Sequence, residues 1–329
     1  MQRLSNQGRR GKLGGLGRLR KQNMKVSLLI PTYQRGKALG NCVRSVLEGT
    51  MRPDEIVVVG RQGDAETERA LAGLGAETPS GTALRSAWVT QAGHVPPVEA
   101  GARIASGEIV AILDDDVTVE LAWLEHLLPH FSDATVGVVG GRVLLPGETP
   151  GPPKGKPGRL SWYGKMWGNL GSVEGNEALE VQAVMEGNWA WRRELLASME
   201  FDPVLNFDDA SMYGLDLCLR AQEEGFRVLY EPRALVWHHA APRAPEFDRA
   251  DRPRRVYAYC RNYTYIVLSH FSFWRRAVFL GWWMLVGERG SWGPGAMALD
   301  TIQHGVRWRQ EAKAALAGKM EGVRLWRKR

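Results

Sequence analysis

Hydrophobic positions along this chain follow two periods. Val26–Pro31 (VSLLIP), Glu55–Val59 (EIVVV) and Glu108–Leu113 (EIVAIL) are continuous apolar runs rich in β-branched residues. Unbroken rather than alternating hydrophobicity marks strands covered on both faces, as in a parallel sheet. Between them, Lys37–Glu48 carries Leu39, Cys42, Val43, Val46 and Leu47 at helical spacing. Glu66–Leu74, Val98–Ala105 and Glu120–Phe131 are further helical segments, and Ala83–Val89 and Val136–Val143 read as strands. This alternation predicts an α/β fold with a Rossmann-like, mostly parallel central sheet flanked by helices, whose ligands bind beyond the carboxyl ends of the strands.

Farther along, residues 145–160 are rich in Pro, Gly and Lys and read as a mobile loop. Val181–Met185 and Asn188–Trp191 are expected to be strands, Asp216–Glu224 a helix, and Phe226–Tyr230 and Ala234–His239 two short strands. The most apolar late stretch, Ala277–Gly287, is far shorter than the ~20 residues that span a bilayer, so no transmembrane helix is expected there. Trp274, Arg275, Arg276, Phe279, Trp282 and Trp283 mix aromatics with cations, a pattern shared by interfacial helices and by packed core helices.

Composition narrows the class. With 44% hydrophobic and 24% charged residues, the body of the chain is globular and not disordered. The net charge of +7 resides in the ends. Residues 1–24 contain cations, many glycines and no acid, so a disordered basic tail is expected. The far end is basic as well, through Arg307, Arg309, Lys313, Lys319, Arg324, Arg327, Lys328 and Arg329. The middle is therefore net acidic, and no nucleic-acid partner is expected, although the arms could meet an anionic membrane by charge. Three widely spaced cysteines, Cys42, Cys218 and Cys260, argue against a disulfide framework or a cysteine zinc site, and no secretory signal is visible. A cytoplasmic setting fits these features.

The candidate chemistry centres on Asp114, Asp115 and Asp116, which end the third buried strand. Three adjacent carboxylates repel one another unless a cation or donors compensate. Asp114 and Asp116 could share a hard divalent cation that also grips a diphosphate. A helix cap and a phosphoacceptor aspartate are the other readings of the same residues.

Ile30-Pro31-Thr32-Tyr33-Gln34-Arg35, the strand Glu55–Val59, the run Ala105–Asp116, then Asp216-Leu217-Cys218-Leu219-Arg220 and Gly225-Phe226-Arg227-Val228 occur in one order. That ordered set, from Lys25 to Arg243, resembles the family 2 inverting glycosyltransferases. The resemblance implies a GT-A fold over residues 25–243, with a helical, amphipathic and basic extension over 244–329. It further implies a metal-bound nucleoside diphosphate sugar donor, with Mn²⁺ or Mg²⁺ as cofactor. Pro31, Thr32 and Arg35 match the family's nucleotide-contacting turn. Asp116 matches its metal ligand, with Asp114 as partner and Asp115 beside the donor. His238 matches a histidine that often ends the later strand near the metal, while His239 is the weaker candidate. Asn188 and Arg243 are donor-binding candidates, the latter as a phosphate partner.

The departures are specific. The second strand ends in Gly60-Arg61-Gln62-Gly63-Asp64 instead of the family's base-reading acids, which leaves Asp64 as the replacement. The usual Glu-Asp pair before Asp216 is replaced by Tyr213-Gly214-Leu215. Asp216 is the expected catalytic base, either acting without that pair or with Asp208 and Asp209 in the preceding loop supplying the second carboxylate, and an N-cap is its structural alternative. Trp162, Trp167, Trp189 and Trp191 could stack on acceptor sugars or fill the core. The expected function is inverting transfer of a sugar to a glycan or lipid-linked acceptor by an enzyme peripheral to the inner face of the cell membrane. The alternative is a catalytically inactive nucleotide- or glycan-binding scaffold.

Overall fold

The computed structural model describes residues 24–208, 212–240, 251–288, 290–304 and 309–329. The basic tail of residues 1–23, Asp209 and Arg243 lie outside them. Strands β1 (Val26–Pro31), β2 (Glu55–Arg61), β3 (Ala83–Val89) and β4 (Ile109–Leu113) alternate with helices α1 (Gly36–Leu47), α2 (Ala65–Glu77) and α3 (Val95–Ile104). After β4 come β5 (Val117–Val119), α4 (Trp123–Leu127) and β6 (Val136–Leu144). The middle of the chain supplies β7 (Arg159–Leu160), β8 (Met166–Trp167), β9 (Leu179–Val181), β10 (Asn188–Arg192) and α5 (Arg193–Ser198). Helix α6 (Tyr213–Glu223) and strand β11 (Arg227–His238) precede the terminal helices α7 (Arg252–His270), α8 (Phe273–Leu285), α9 (Pro294–His304) and α10 (Arg309–Trp326).

Among the described residues the strands form one nine-stranded sheet in the order β3-β2-β1-β4-β10-β6-β11-β5, with β9 also on β11. The strands β1–β4 pair in parallel, and β10 inserts antiparallel between β4 and β6. Since β11 runs parallel to β6, the sheet is mostly parallel overall. A separate hairpin pairs β7 with β8.

The continuous apolar runs have a simple cause. Leu28 and Ile30 of β1 join Ile56 and Val58 of β2 in one core cluster, together with Leu39, Cys42 and Val43 of α1. Leu29, Val57 and Val59 point to the opposite face and a second cluster. Period-2 alternation is present, but both faces are dry. The second cluster also holds Tyr263 and Ile266 of α7 and Phe279 and Trp283 of α8. The C-terminal helices therefore share the core of the sheet domain.

Several local expectations change on folding. The two short strands expected over 226–239 are one strand, β11, with a register irregularity between Glu231 and Leu235. Pro232 lies there, and a residue without an N–H fits a sheet only at such a break. Residues 183–185 leave the sheet, and α6 starts three residues before Asp216. The cysteines are free and buried. Among the described residues no helix is long and apolar enough to cross a membrane.

Candidate active site

The carboxyl ends of β1 and β4 open into a cleft of about 710 Å³. Its walls include Pro31, Thr32, Tyr33 and Arg35 after β1 and Asp114, Asp115 and Asp116 after β4. Glu186, Asp208, Tyr213 and His238 also line it, with Tyr259 of α7. The volume lies in the range of sites for ligands of coenzyme size.

The three aspartates separate by direction. Asp115 turns inward and is almost fully buried. It accepts hydrogen bonds from Thr32 Oγ1 at 2.7 Å and Arg35 Nη1 at 2.8 Å, tying the first turn to the third strand's end. Burial pushes Asp115 up to about 6, against the pull of the Arg35 guanidinium and with the added repulsion of Asp116. Arg35 also reaches Asp116, at 3.1 Å. Asp114 and Asp116 instead converge on His238, and one ligand atom from each lies within 4.8 Å of the others. His238 is brought there by register, because β11 pairs His238 with Val117 of β5, the residue following Asp116. Its Nε2 is 3.1 Å from Asp116 Oδ1. His239 points elsewhere: its N–H donates to the Asp116 carbonyl and its ring meets Thr118 Oγ1. Two carboxylates and an imidazole at this separation suit a divalent cation.

Gly187 is required by this packing. Its φ is +83°, and a Cβ there would fall 2.4 Å from Asp114 Oδ2. Its carbonyl accepts from the Asp114 N–H at 3.2 Å, so the Glu186-Gly187 turn lies directly along the aspartate cluster.

Other expected site residues are placed away from the cleft. Asp216 does not line it: Oδ1 meets His270 Nε2 at 2.8 Å and Oδ2 meets Arg220 at 3.0 Å. His270 touches Glu223 through its other ring nitrogen, at 2.7 Å. Burial alone would lower the His270 pKa, but the hydrogen bonds and charges of Asp216 and Glu223 raise it above the ordinary value. The expectation that Asp216 faces the donor is thus not met; it joins α6 to α7. Asn188 is fully buried, donating to the Arg142 and Ala234 carbonyls and accepting from Trp123 Nε1. All its polar atoms are engaged in holding β10 to its neighbours. Asp64 caps α2 through Thr67 and accepts from the Gln34 N–H at 2.6 Å, so it supports the first turn from beneath. Trp189 and Trp191 are core residues, whereas Trp162 is 67% exposed.

Glu186 and His94, which the sequence did not single out, complete the cleft together with Asp208, which it named as a second carboxylate. Glu186 accepts from the Gly214 N–H at 2.8 Å, at the first turn of α6. A Cβ on residue 214 would sit 2.6 Å from Glu186 Cγ, so the missing side chain makes room for this carboxylate. Asp208 pairs with Arg254 Nε at 2.9 Å. His94 lies 3.8 Å from Asp114. The available signals were a Glu-Gly pair before a buried strand and a glycine where a carboxylate was expected.

Comparison with known proteins agrees with this architecture. The model of glycosyl transferase family 2 matches residues 27–197. A glucosyl-dolichyl phosphate glucuronosyltransferase from Haloferax volcanii is 26% identical over 240 residues, covering 68% of this chain and 72% of that one. Among solved structures, a mannosyltransferase from Pyrobaculum calidifontis in complex with GDP-Man and Mn²⁺ superposes with a TM-score of 0.58 at 18% identity. It covers 94% of this chain and 89% of that one. GalNAc-T7 with UDP, GalNAc and Mn²⁺ gives 0.61 at 17% identity, over 92% of this chain and 57% of that one. At such identities the structural likeness speaks for the fold, which is GT-A. The family match over more than half the chain carries the assignment: this protein belongs to glycosyl transferase family 2 and is a glycosyltransferase.

Proposed function

We propose that the chain transfers a sugar, with inversion, from a nucleoside diphosphate sugar to a glycan or lipid-linked acceptor in a reaction dependent on Mn²⁺ or Mg²⁺. The observation that carries this reading is the convergence of Asp114, Asp116 and His238 in a cleft at the carboxyl ends of the parallel strands. Those side chains would hold the cation, which when bound supplies positive charge to the donor diphosphate as it leaves. Arg35, fixed by Asp115 and Asp116, presents a second positive charge in the same cleft. Pro31 and Thr32 shape the nucleotide end, with Asp115 and Asp64 acting through the turn they brace.

Inversion requires a base that takes the acceptor hydroxyl proton as its oxygen attacks the anomeric carbon. Glu186 fits better than Asp216. It lines the cleft, and the next residue packs on Asp114. Asp208 also lines the cleft, but one of its carboxylate oxygens is held by Arg254 at 2.9 Å. The dolichyl phosphate in the name of the Haloferax volcanii relative supports a lipid-linked acceptor, which would bring the enzyme to a bilayer surface.

Calorimetry with a panel of UDP- and GDP-sugars, with and without Mn²⁺, tests the proposal. Metal-dependent donor binding that is lost in Asp116→Asn is expected; no binding across the panel would sink it. Gly214 at the start of α6 favours a second reading, an inactive nucleotide- or glycan-binding scaffold. Donor binding without turnover against any acceptor or water would favour that scaffold.

A further inference from the structure

Helix α8 buries one face and leaves the other bare. Phe279 and Trp283 are fully buried against α7, where Trp283 meets Tyr263 at a centroid distance of 5.1 Å. The opposite face presents Phe273, Trp274, Ala277, Val278, Gly281, Leu285 and Val286 to solvent, with Trp274 at 78% and Phe273 at 71% exposure. No acid occurs anywhere in α8. Single exposed apolar residues are ordinary, but a continuous stripe headed by two aromatics is not. Helix α9, whose start is tied to the end of α8 by the Ala296 N–H donating to the Val286 carbonyl, also exposes Leu299 and Ile302.

Cations border this surface. At the head of α8, Arg275 and Arg276 lie on either side of the stripe at helical spacing, and the Arg275 Nε donates to the carbonyl of the exposed Trp162. Arg276 sits 5.0 Å over the Trp326 ring, which brings the end of α10 beside it, with Arg324, Arg327, Lys328 and Arg329 exposed. Aromatics at the head of an apolar stripe rimmed by arginines match the requirements of a headgroup interface: rings in the acyl boundary, guanidinium groups on phosphates. A second copy is a poorer occupant, because a two-fold contact would set this basic rim against itself.

We propose that the exposed face of α8 and α9, with the basic end of α10, docks this enzyme on a bilayer containing anionic phospholipid. The inference deepens the lipid-linked reading of the acceptor and rests on it. Its position is consistent with that role, since Trp283 packs within 6.4 Å of Tyr259, which lines the cleft.

The test is flotation of the full chain with vesicles of phosphatidylcholine alone or mixed with equal parts phosphatidylglycerol, alongside donor binding by calorimetry. Binding to the mixed vesicles only, weakened by salt, is expected. Phe273→Ser with Trp274→Ser should reduce it by about tenfold or more per ring removed from the interface, with donor binding unchanged. Absence of binding to mixed vesicles, equal binding by the double variant, or a wild-type dimer that the double variant dissolves would each overturn the proposal. Vesicle binding by a chain that binds no donor would leave docking intact and refute the transferase reading instead.

Discussion

Replacing Glu186 with Gln tests the assignment of the catalytic base with little structural disturbance. Gln keeps an oxygen able to accept the Gly214 N–H at 2.8 Å, and leaves Gly187 against Asp114. What it removes is the proton acceptor. General-base catalysis contributes about 10²–10⁴ in rate, equivalent to about 3–5 kcal/mol of barrier. The expected result is a fall in kcat of that size, with donor affinity in the presence of Mn²⁺ unchanged within about twofold. Nucleoside diphosphate release from the donor identified by calorimetry, with water or acceptor as nucleophile, provides the assay. Asp216→Asn is the contrast. It breaks the buried pairing to His270 and Arg220, so it should lower Tm while the folded fraction keeps its turnover. Glu186→Gln retaining activity within about threefold would refute the assignment. An Asp216→Asn chain of unchanged stability, intact donor binding and no turnover would return the role to Asp216.

Other outcomes follow from the same geometry. Asp116→Asn or His238→Ala should weaken Mn²⁺-dependent donor binding by about tenfold or more, measured by calorimetry at fixed metal, because the first removes a ligand's negative charge and the second one of three converging ligand atoms. Gly187→Ala should destabilise by about 1–3 kcal/mol in urea unfolding and impair metal binding, since φ +83° and the Asp114 carboxylate both oppose a Cβ. Burial raises the pKa of Glu55, yet hydrogen bonds from Ser106, Ser27 and Arg85 outweigh it and hold the group at about 2. Because the folded pKa is the lower one, this stabilisation, on the order of 3 kcal/mol, is complete above pH ~4.5 and lost as pH falls toward 2. Acid unfolding of Glu55→Gln should therefore start from lower stability and slope less across that window.

How much of the site was legible depended on how local its determinants are. Asp114 and Asp116 were readable because a strand end followed by carboxylates is a contiguous signal. His238 was readable only through resemblance, since 122 residues separate it from Asp116 and the β5–β11 register alone joins them. Asn188 and Asp216 misled for a common reason. Each is a polar residue in a motif-like setting, and only the folded packing shows that its polar atoms meet Trp123, His270 or backbone carbonyls instead of the cleft. Glu186 is not legible from local sequence because its relevance depends on an absence, the side chain missing at Gly214 on a distant helix. In α8, the mixture of aromatics and cations left core and interface unresolved; the fold assigns Phe279 and Trp283 to the first and Phe273 and Trp274 to solvent.

The sequence by itself determined the α/β class, the buried parallel strands and the position of the aspartates, because strand burial and strand ends are written in hydrophobic runs a few residues long. Tertiary structure alone decided which carboxylates share the cleft, which are spent on internal ion pairs and which face of α8 meets solvent. Those properties depend on side-chain direction across strand registers and helix contacts between residues far apart in the chain, and local periodicity carries no record of that distance.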